Sequence, residues 1–287
     1  MISQLKYLAK FVLGLDRAER NLTVFPDDTF VVSYPKSGNT WTRFLIANLA
    51  YPKEKVDFTT INRLIADPAL ASKRFLKSLP RPRILKSHEP FDPRYKHVVF
   101  IVRDPRDVAL SEYHFEVKRK HVDEATPIDH YVSRFVGGET GPYGSWGENV
   151  GSWVAARQNN PRFLLLRYED MLEAPERELA KVAIFLGFEP DPQRLAHAVD
   201  ESSADRMRKL EQAQADHWSA TKNTRKDIPF VRAAKSGGWK TGMPPSSVAL
   251  IESAWAPLMT LLGYKLSARS PDETSVPGWA RVEARTG

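Results

Sequence analysis

Three short stretches of this chain hold side chains suited to gripping anions and moving a proton. The first is Tyr34-Pro-Lys-Ser-Gly-Asn-Thr-Trp41. An apolar run precedes it and an amphipathic pattern follows, so these residues form a turn between a strand and a helix N-terminus. Such a turn gathers backbone N–H groups around one anion, and the helix dipole adds to them. Gly38 allows close backbone approach, Ser37, Asn39 and Thr40 offer side-chain donors, and Lys36 supplies a mobile charge. A Walker A loop needs its lysine after the second glycine. Here the lysine precedes the glycine, which disfavours a nucleoside triphosphatase. A plain turn with a capped helix fits the bare residues equally well.

The second stretch is Val102-Arg-Asp-Pro-Arg-Asp-Val-Ala-Leu-Ser111. Arg103 ends another apolar run, and Ser111 lies about 12 Å further along a helix rising 1.5 Å per residue. A guanidinium fork matches a phosphate with two parallel hydrogen bonds, as lysine cannot. By residue type alone, an internal ion pair between Arg103 and Asp107 is the simpler expectation. In the third stretch, Leu85-Lys-Ser-His-Glu-Pro90, His88 follows Lys86 by two residues. An imidazole of pKa about 6.5 accepts a hydroxyl proton at neutral pH. Of seven histidines, only this one follows a strand directly with a lysine beside it. No histidine pair has zinc-motif spacing such as His-Glu-x-x-His, so no metal is expected.

These side chains must be carried by something rigid. Residues 29–33, 83–86, 97–102 and 163–166 are short apolar runs that read as buried parallel strands. Helical patterns cover 40–50, 105–118, 146–158 and 175–186, with Pro105 just inside one start and Gly187 just past one end. The alternation predicts one α/β domain, a central parallel sheet flanked by helices. Ligands of such sheets sit beyond the carboxyl ends of the strands. All three stretches fall on that rim. Residues 117–145 and 201–238 read as polar and irregular, suited to lids or acceptor loops.

The chain has 287 residues, a formal charge of +7 and a pI near 9.5, a balance that suits an anionic partner. Its lysines and arginines are spread along the chain rather than striped with aromatics, so nucleic acid is not the expected partner. With no cysteine, a disulfide framework, a thiolate nucleophile and a Cys-ligated zinc are excluded, and a reducing, cytoplasmic setting fits. Residues 1–15 have helical apolar spacing but are too short to span a bilayer, and no cleavage site follows them. A mobile tail is expected over 266–287, within a single domain covering 1–287.

Taken together, the three stretches resemble the sulfotransferases that use 3′-phosphoadenosine 5′-phosphosulfate (PAPS). The resemblance runs in order from Tyr34 to about Lys240 and includes Tyr143-Gly-Ser-Trp146 and Arg167-Tyr-Glu-Asp-Met171. It implies a sulfotransferase fold akin to the P-loop nucleotide-binding folds. The implied reaction is sulfuryl transfer from PAPS, without a metal, to a hydroxyl or amine of a small-molecule acceptor. Lys36 would contact the 5′-phosphosulfate, with Ser37, Gly38, Asn39 and Thr40 holding the same group. Arg103 and Ser111 would bind the 3′-phosphate; Trp41 would stack on adenine and Tyr168 would bond its edge. His88 would be the base, with Lys86 assisting, while Ser202, Arg232 and Lys235 would touch the cofactor from later segments.

Three departures stand out. The last motif of the family begins approximately Arg-Lys-Gly, whereas this chain has Arg232-Ala-Ala234, with Lys235 next as a substitute charge. Ala204 stands where the family has a phenylalanine beside adenine, and Asn39 replaces a common threonine. Ser247–Glu252 partly resembles a segment used for dimers, so a homodimer is a further expectation. Phe58, Phe75, Tyr131, Phe135, Tyr143, Trp146, Trp218 and Phe230 are candidates to line an acceptor pocket. A nucleotide-dependent kinase of related fold and a non-catalytic polyanion binder remain the alternatives.

Overall fold

The computed structural model describes residues 13–232 and 234–267. Nearly all of the expected N-terminal helix and C-terminal tail, and Ala233, lie outside the described residues. The strands are β1 (Thr29–Ser33), β2 (Ile84–Ser87), β3 (His97–Val102) and β4 (Phe163–Arg167). The helices in the first half are α1 (Asn39–Ala50), α2 (Ile61–Leu64), α3 (Lys73–Ser78), α4 (Pro105–Lys118), α5 (Ile128–Val136) and α6 (Trp146–Arg157). Those in the second half are α7 (Tyr168–Glu173), α8 (Pro175–Phe185), α9 (Pro192–Glu201), α10 (Ala204–Gln214), α11 (Trp239–Gly242) and α12 (Pro245–Leu261).

The four strands form one parallel sheet in the order β2-β1-β3-β4. From β1 the chain moves out to β2, crosses back over β1 to β3, and continues outward to β4. The direction therefore reverses between β1 and β3, where a crevice opens at their carboxyl ends. Register aligns these ends: Val32 faces Ser87 on one side and Phe100 on the other, and Val102 faces Arg167.

Alternate strand residues point to opposite faces, and both faces are buried. Phe30, Val32, Leu85, Phe100 and Val102 pack with Val108, Trp146, Trp153 and Ile251 on one side. Val31, Val99, Ile101 and Leu166 pack with Phe44, Leu45, Leu179 and Leu195 on the other. Each such side chain stabilises the fold by about 1.5–3 kcal/mol. Phe100, fully buried with ring centroids 5.9 Å from Trp153 and 5.6 Å from Phe163, would leave a cavity on truncation to alanine, at a cost of about 3–5 kcal/mol.

Two expectations need correction. β2 starts one residue later than predicted because Arg83 leaves the apolar run, pairing in the interior with Asp28 (Nε to Oδ1, 2.8 Å). The segments read as irregular contain α5 and α10. In α5, Ile128, Tyr131, Val132 and Phe135 recur at helical spacing, so the signal was present; in α10 only Met207 and Leu210 are apolar and inward, too few to register. Within Ser247–Glu252, Val248 and Ile251 fill the chain's own core, and Glu252 pairs with Arg106. No helix among the described residues is long and apolar enough to cross a membrane.

Candidate active site

The turn from β1 into α1 adopts two left-handed residues, Lys36 (φ 63°) and Gly38 (φ 97°). A Cβ on Gly38 would stand 2.5 Å from the Tyr168 ring, so glycine is needed both for its φ and for the close approach. Asn39 is among the residues lining the cavity, with the nitrogen of its amide turned to β1. Its Nδ2 donates to Val31 O (3.1 Å) and Ser33 Oγ (3.3 Å), fastening the start of α1 to β1. Ser37 is fully buried and its Oγ has no partner among the described residues, whereas Thr40 lines the cavity. The Lys36 ammonium lies between two phenyl rings, 3.9 Å from the Phe115 centroid and 4.3 Å from that of Phe230. Burial, then the charge of Arg103, lowers its pKa to about 7.

Arg103 does not pair with Asp107. Its Nη1 donates to Lys36 O (3.0 Å), its Nη2 to Lys235 O (3.1 Å), and its guanidinium lies 4.4 Å over the Tyr168 ring. Asp107 instead accepts N–H bonds from Gly237 (2.6 Å) and Trp239 (3.1 Å), latching the closing loop, residues 234–238, ahead of α11. Ser111, one helical face further on, lines the same cavity. Trp41 meets Tyr168 edge-on (5.8 Å), and its Nε1 donates to Ser202 O (3.1 Å). Ser202 is buried behind Trp41 rather than on the cavity, with its hydroxyl accepting from Asn48 Nδ2 (3.1 Å). Arg232 lines the cavity; Lys235 has an exposed side chain and contributes its carbonyl to Arg103. Val199, Ala204 and Met207 make an apolar wall of the cavity.

His88 sits at the end of β2. Its Nδ1 lies 2.7 Å from Ser33 O, and since a carbonyl only accepts, Nδ1 carries the proton and Nε2 keeps the lone pair. Burial, then the neighbouring charge of Lys86, lowers its pKa to about 3, so the ring is neutral. Lys86 is itself paired with Asp67 (2.6 Å), both largely buried. Burial lowers the Lys86 pKa. Arg43, buried nearby, donates to Asn62 Oδ1 (2.8 Å) and to the carbonyls of Ile61 and Ile65, bracing the loop that carries Asp67.

α6 fixes the backbone behind His88. Asn149 Nδ2 donates to His88 O (3.0 Å) and Tyr143 O (3.3 Å), Trp153 Nε1 donates to Glu89 O (2.9 Å), and Ser152 Oγ accepts from Phe91 N (2.9 Å). A capping box between Ser145 and Glu148 begins this helix, which explains the Tyr143-Gly-Ser-Trp146 stretch. Asn149, Asp67, Arg43 and Met207 were missed in the sequence. Asn149 had a local signal in the capping box just ahead of it. Asp67 had none, being 19 residues from its partner.

One open cavity of about 670 Å³ joins Lys36, Gly38, Thr40, Trp41, Lys86, His88, Arg103, Ser111, Tyr168 and Arg232. Of the aromatic candidates, Tyr143, Trp218 and Phe230 line it, while Phe58, Tyr131, Phe135 and Trp146 belong to the cores and Phe75 packs against one of them. Among the described residues no group of three or more His, Cys, Asp or Glu could hold a metal.

A parallel sheet whose switch point carries an anion-binding turn, an arginine and a neutral histidine defines a nucleotide-dependent group-transfer site. The family model described as sulfotransferase domain matches residues 26–263, and the chain belongs to the sulfotransferase family of enzymes. It is 31% identical to sulfotransferase 1B1 of Canis lupus familiaris, over 75% of this chain and 77% of that protein. It is 30% identical to sulfotransferase 1A1 of Bos taurus, over 93% of each. In fold it is similar to retinol dehydratase in complex with androsterone and the inactive cofactor PAP (TM-score 0.71, 18% identity, covering 88% of this chain and 84% of that one). It is also similar to mouse sulfotransferase SULT7A1 complexed with PAP (TM-score 0.68, 23% identity, 85% and 88%). Family membership sets aside the kinase and the non-catalytic polyanion binder.

Proposed function

We propose that this enzyme transfers a sulfuryl group from PAPS to the hydroxyl of a small acceptor. The reading is carried by one observation: Lys36, Arg103 and His88, from three different strand ends, share a single cavity. His88 Nε2 takes the acceptor proton, the oxygen attacks sulfur, and the bond from sulfur to the bridging oxygen of the 5′-phosphate breaks. Adenosine 3′,5′-bisphosphate (PAP) leaves carrying the electron pair. Charge spreads over the equatorial oxygens, so positioning and cationic groups supply most of the rate.

Lys36 stabilises the leaving phosphate, moving off the two rings to do so, and Lys86 adds positive charge near sulfur. Arg103 and Ser111 hold the 3′-phosphate, while Trp41, Tyr168 and the Val199, Ala204 and Met207 wall enclose adenine. Similar folds hold PAP with androsterone or retinol, which supports a nucleotide of this kind and an apolar acceptor. The lack of cysteine supports a cytoplasmic setting. The test is sulfuryl transfer from ³⁵S-labelled PAPS to a panel of phenols and alcohols. His88→Ala should lower turnover by about 10²–10⁴-fold while PAP still binds. Wild-type turnover in that variant removes the histidine from the reaction.

A further inference from the structure

On the wall of the cavity, one acidic group has no ion pair among the described residues. Glu112 follows Ser111 on α4, lines the cavity and is only 5% exposed. Its Oε2 has no hydrogen-bond partner among the described residues. Glu116, one turn further on, faces the same cavity but is already paired with Arg119 (3.2 Å). The cation whose charge is felt at Glu112 is Lys36, which is held by the Phe115 and Phe230 rings and, in the reading above, is committed to the donor. Burial, then the charge of Glu116, pushes the Glu112 carboxyl up to about 8, so it keeps its proton at neutral pH. A buried carboxyl of this kind ionises when a cation arrives beside it.

One short stretch of loop links the surroundings of Glu112 to those of His88. Thr140 stands beside Glu112, while Tyr143, on the same loop, meets the His88 ring at 5.6 Å. That span of chain reaches at most about 11 Å at ~3.6 Å per residue. We propose that the acceptor carries a basic nitrogen in addition to the hydroxyl that is sulfated, and that Glu112 holds its ammonium while His88 takes the hydroxyl proton. The proposal rests on the sulfuryl-transfer reading above. Glu112 releases its own proton to solvent on binding, and the ammonium stays protonated throughout.

The test compares three phenols of one shape: 4-(2-aminoethyl)phenol, 4-propylphenol and 3-(4-hydroxyphenyl)propanoate, with PAPS as donor. The readout is the ratio of kcat/KM for the amine to that for the propyl compound, which cancels changes in folding and in cofactor affinity. In the wild type the amine should lead by at least about tenfold, the scale of one charge-assisted hydrogen bond, and the propanoate should be poorest. Glu112→Gln should collapse the ratio, whereas Glu116→Gln should keep it. A wild-type ratio near one, a preference that survives Glu112→Gln, or one lost only in Glu116→Gln overturns the proposal and leaves sulfuryl transfer intact. Should none of the three be sulfated, calorimetric titration of the PAP-loaded protein with 4-(2-aminoethyl)phenol decides. Binding abolished by Glu112→Gln sustains the amine site and sinks the transfer reading; absence of binding overturns the amine site.

Discussion

Gly38→Ala is the sharpest test of how the donor side is built. Two separate penalties meet at this residue. Its φ of 97° lies in the left-handed region, where a Cβ costs about 1–2 kcal/mol. The same Cβ would stand 2.5 Å and 2.8 Å from two carbons of the Tyr168 ring. Tyr168 cannot yield without consequence, because Arg103 lies 4.4 Å above it and Trp41 meets its edge at 5.8 Å. Strain alone should lower Tm by about 2–8 °C, at roughly 2–4 °C per kcal/mol for chains of this general size. Displacing Tyr168 should also weaken PAP binding at least about tenfold, a loss of some 1.4 kcal/mol. Differential scanning calorimetry and isothermal titration with PAP measure both. In Gly38→Ala/Tyr168→Ala the steric part disappears, so the two substitutions should couple favourably by about 1 kcal/mol in a double-mutant cycle. Wild-type Tm and PAP affinity in Gly38→Ala would refute the close-approach reasoning.

Other expectations follow from the charges. Lys36 titrates near 7 in the empty protein, and a bound phosphosulfate must raise that value. PAP affinity should therefore be full below pH 7 and fall above it, by up to about tenfold per pH unit. Titration calorimetry over pH 6–9 checks this, and Lys36→Met should abolish the slope. Asp107→Ala should release the closing loop at a cost of about 1–3 kcal/mol, seen as faster amide exchange at Gly237 and Trp239. Unchanged exchange would remove the latch. Asp67→Asn leaves a buried ammonium unpaired and should destabilise the protein by about 3–5 kcal/mol, whereas Asp67→Asn/Lys86→Met should recover much of that loss in urea unfolding. Equal stability of the two variants would contradict the pair.

The sheet was readable because its strands are buried on both faces. Runs such as Val98–Val102 have no polar side to confuse the pattern, and Pro105 and Gly187 mark helix ends by backbone chemistry that acts locally. The anion turn was readable for the same reason: strand, turn and helix are consecutive. What escaped notice depends on residues distant in the chain. Asp67 reaches Lys86 from another loop, Met207 closes the wall beside Ala204, and Arg103 turns to two carbonyls instead of the nearer Asp107. Residue type favoured the ion pair; the closing loop, which claims the Asp107 carboxylate through two N–H groups, decided otherwise.

The anchoring of residues 88–91 to one helix has a consequence for which molecules can react. With Asn149, Ser152 and Trp153 bolting that backbone and Ser33 holding the ring from behind, the imidazole has neither pivot nor slack. It cannot lean towards an awkwardly placed hydroxyl. In the transfer proposed above, candidates would thus be sorted by their angle of arrival more than by bulk: a slender chain that bends into line would react, while a smaller but rigid ring presenting its oxygen sideways would be turned away.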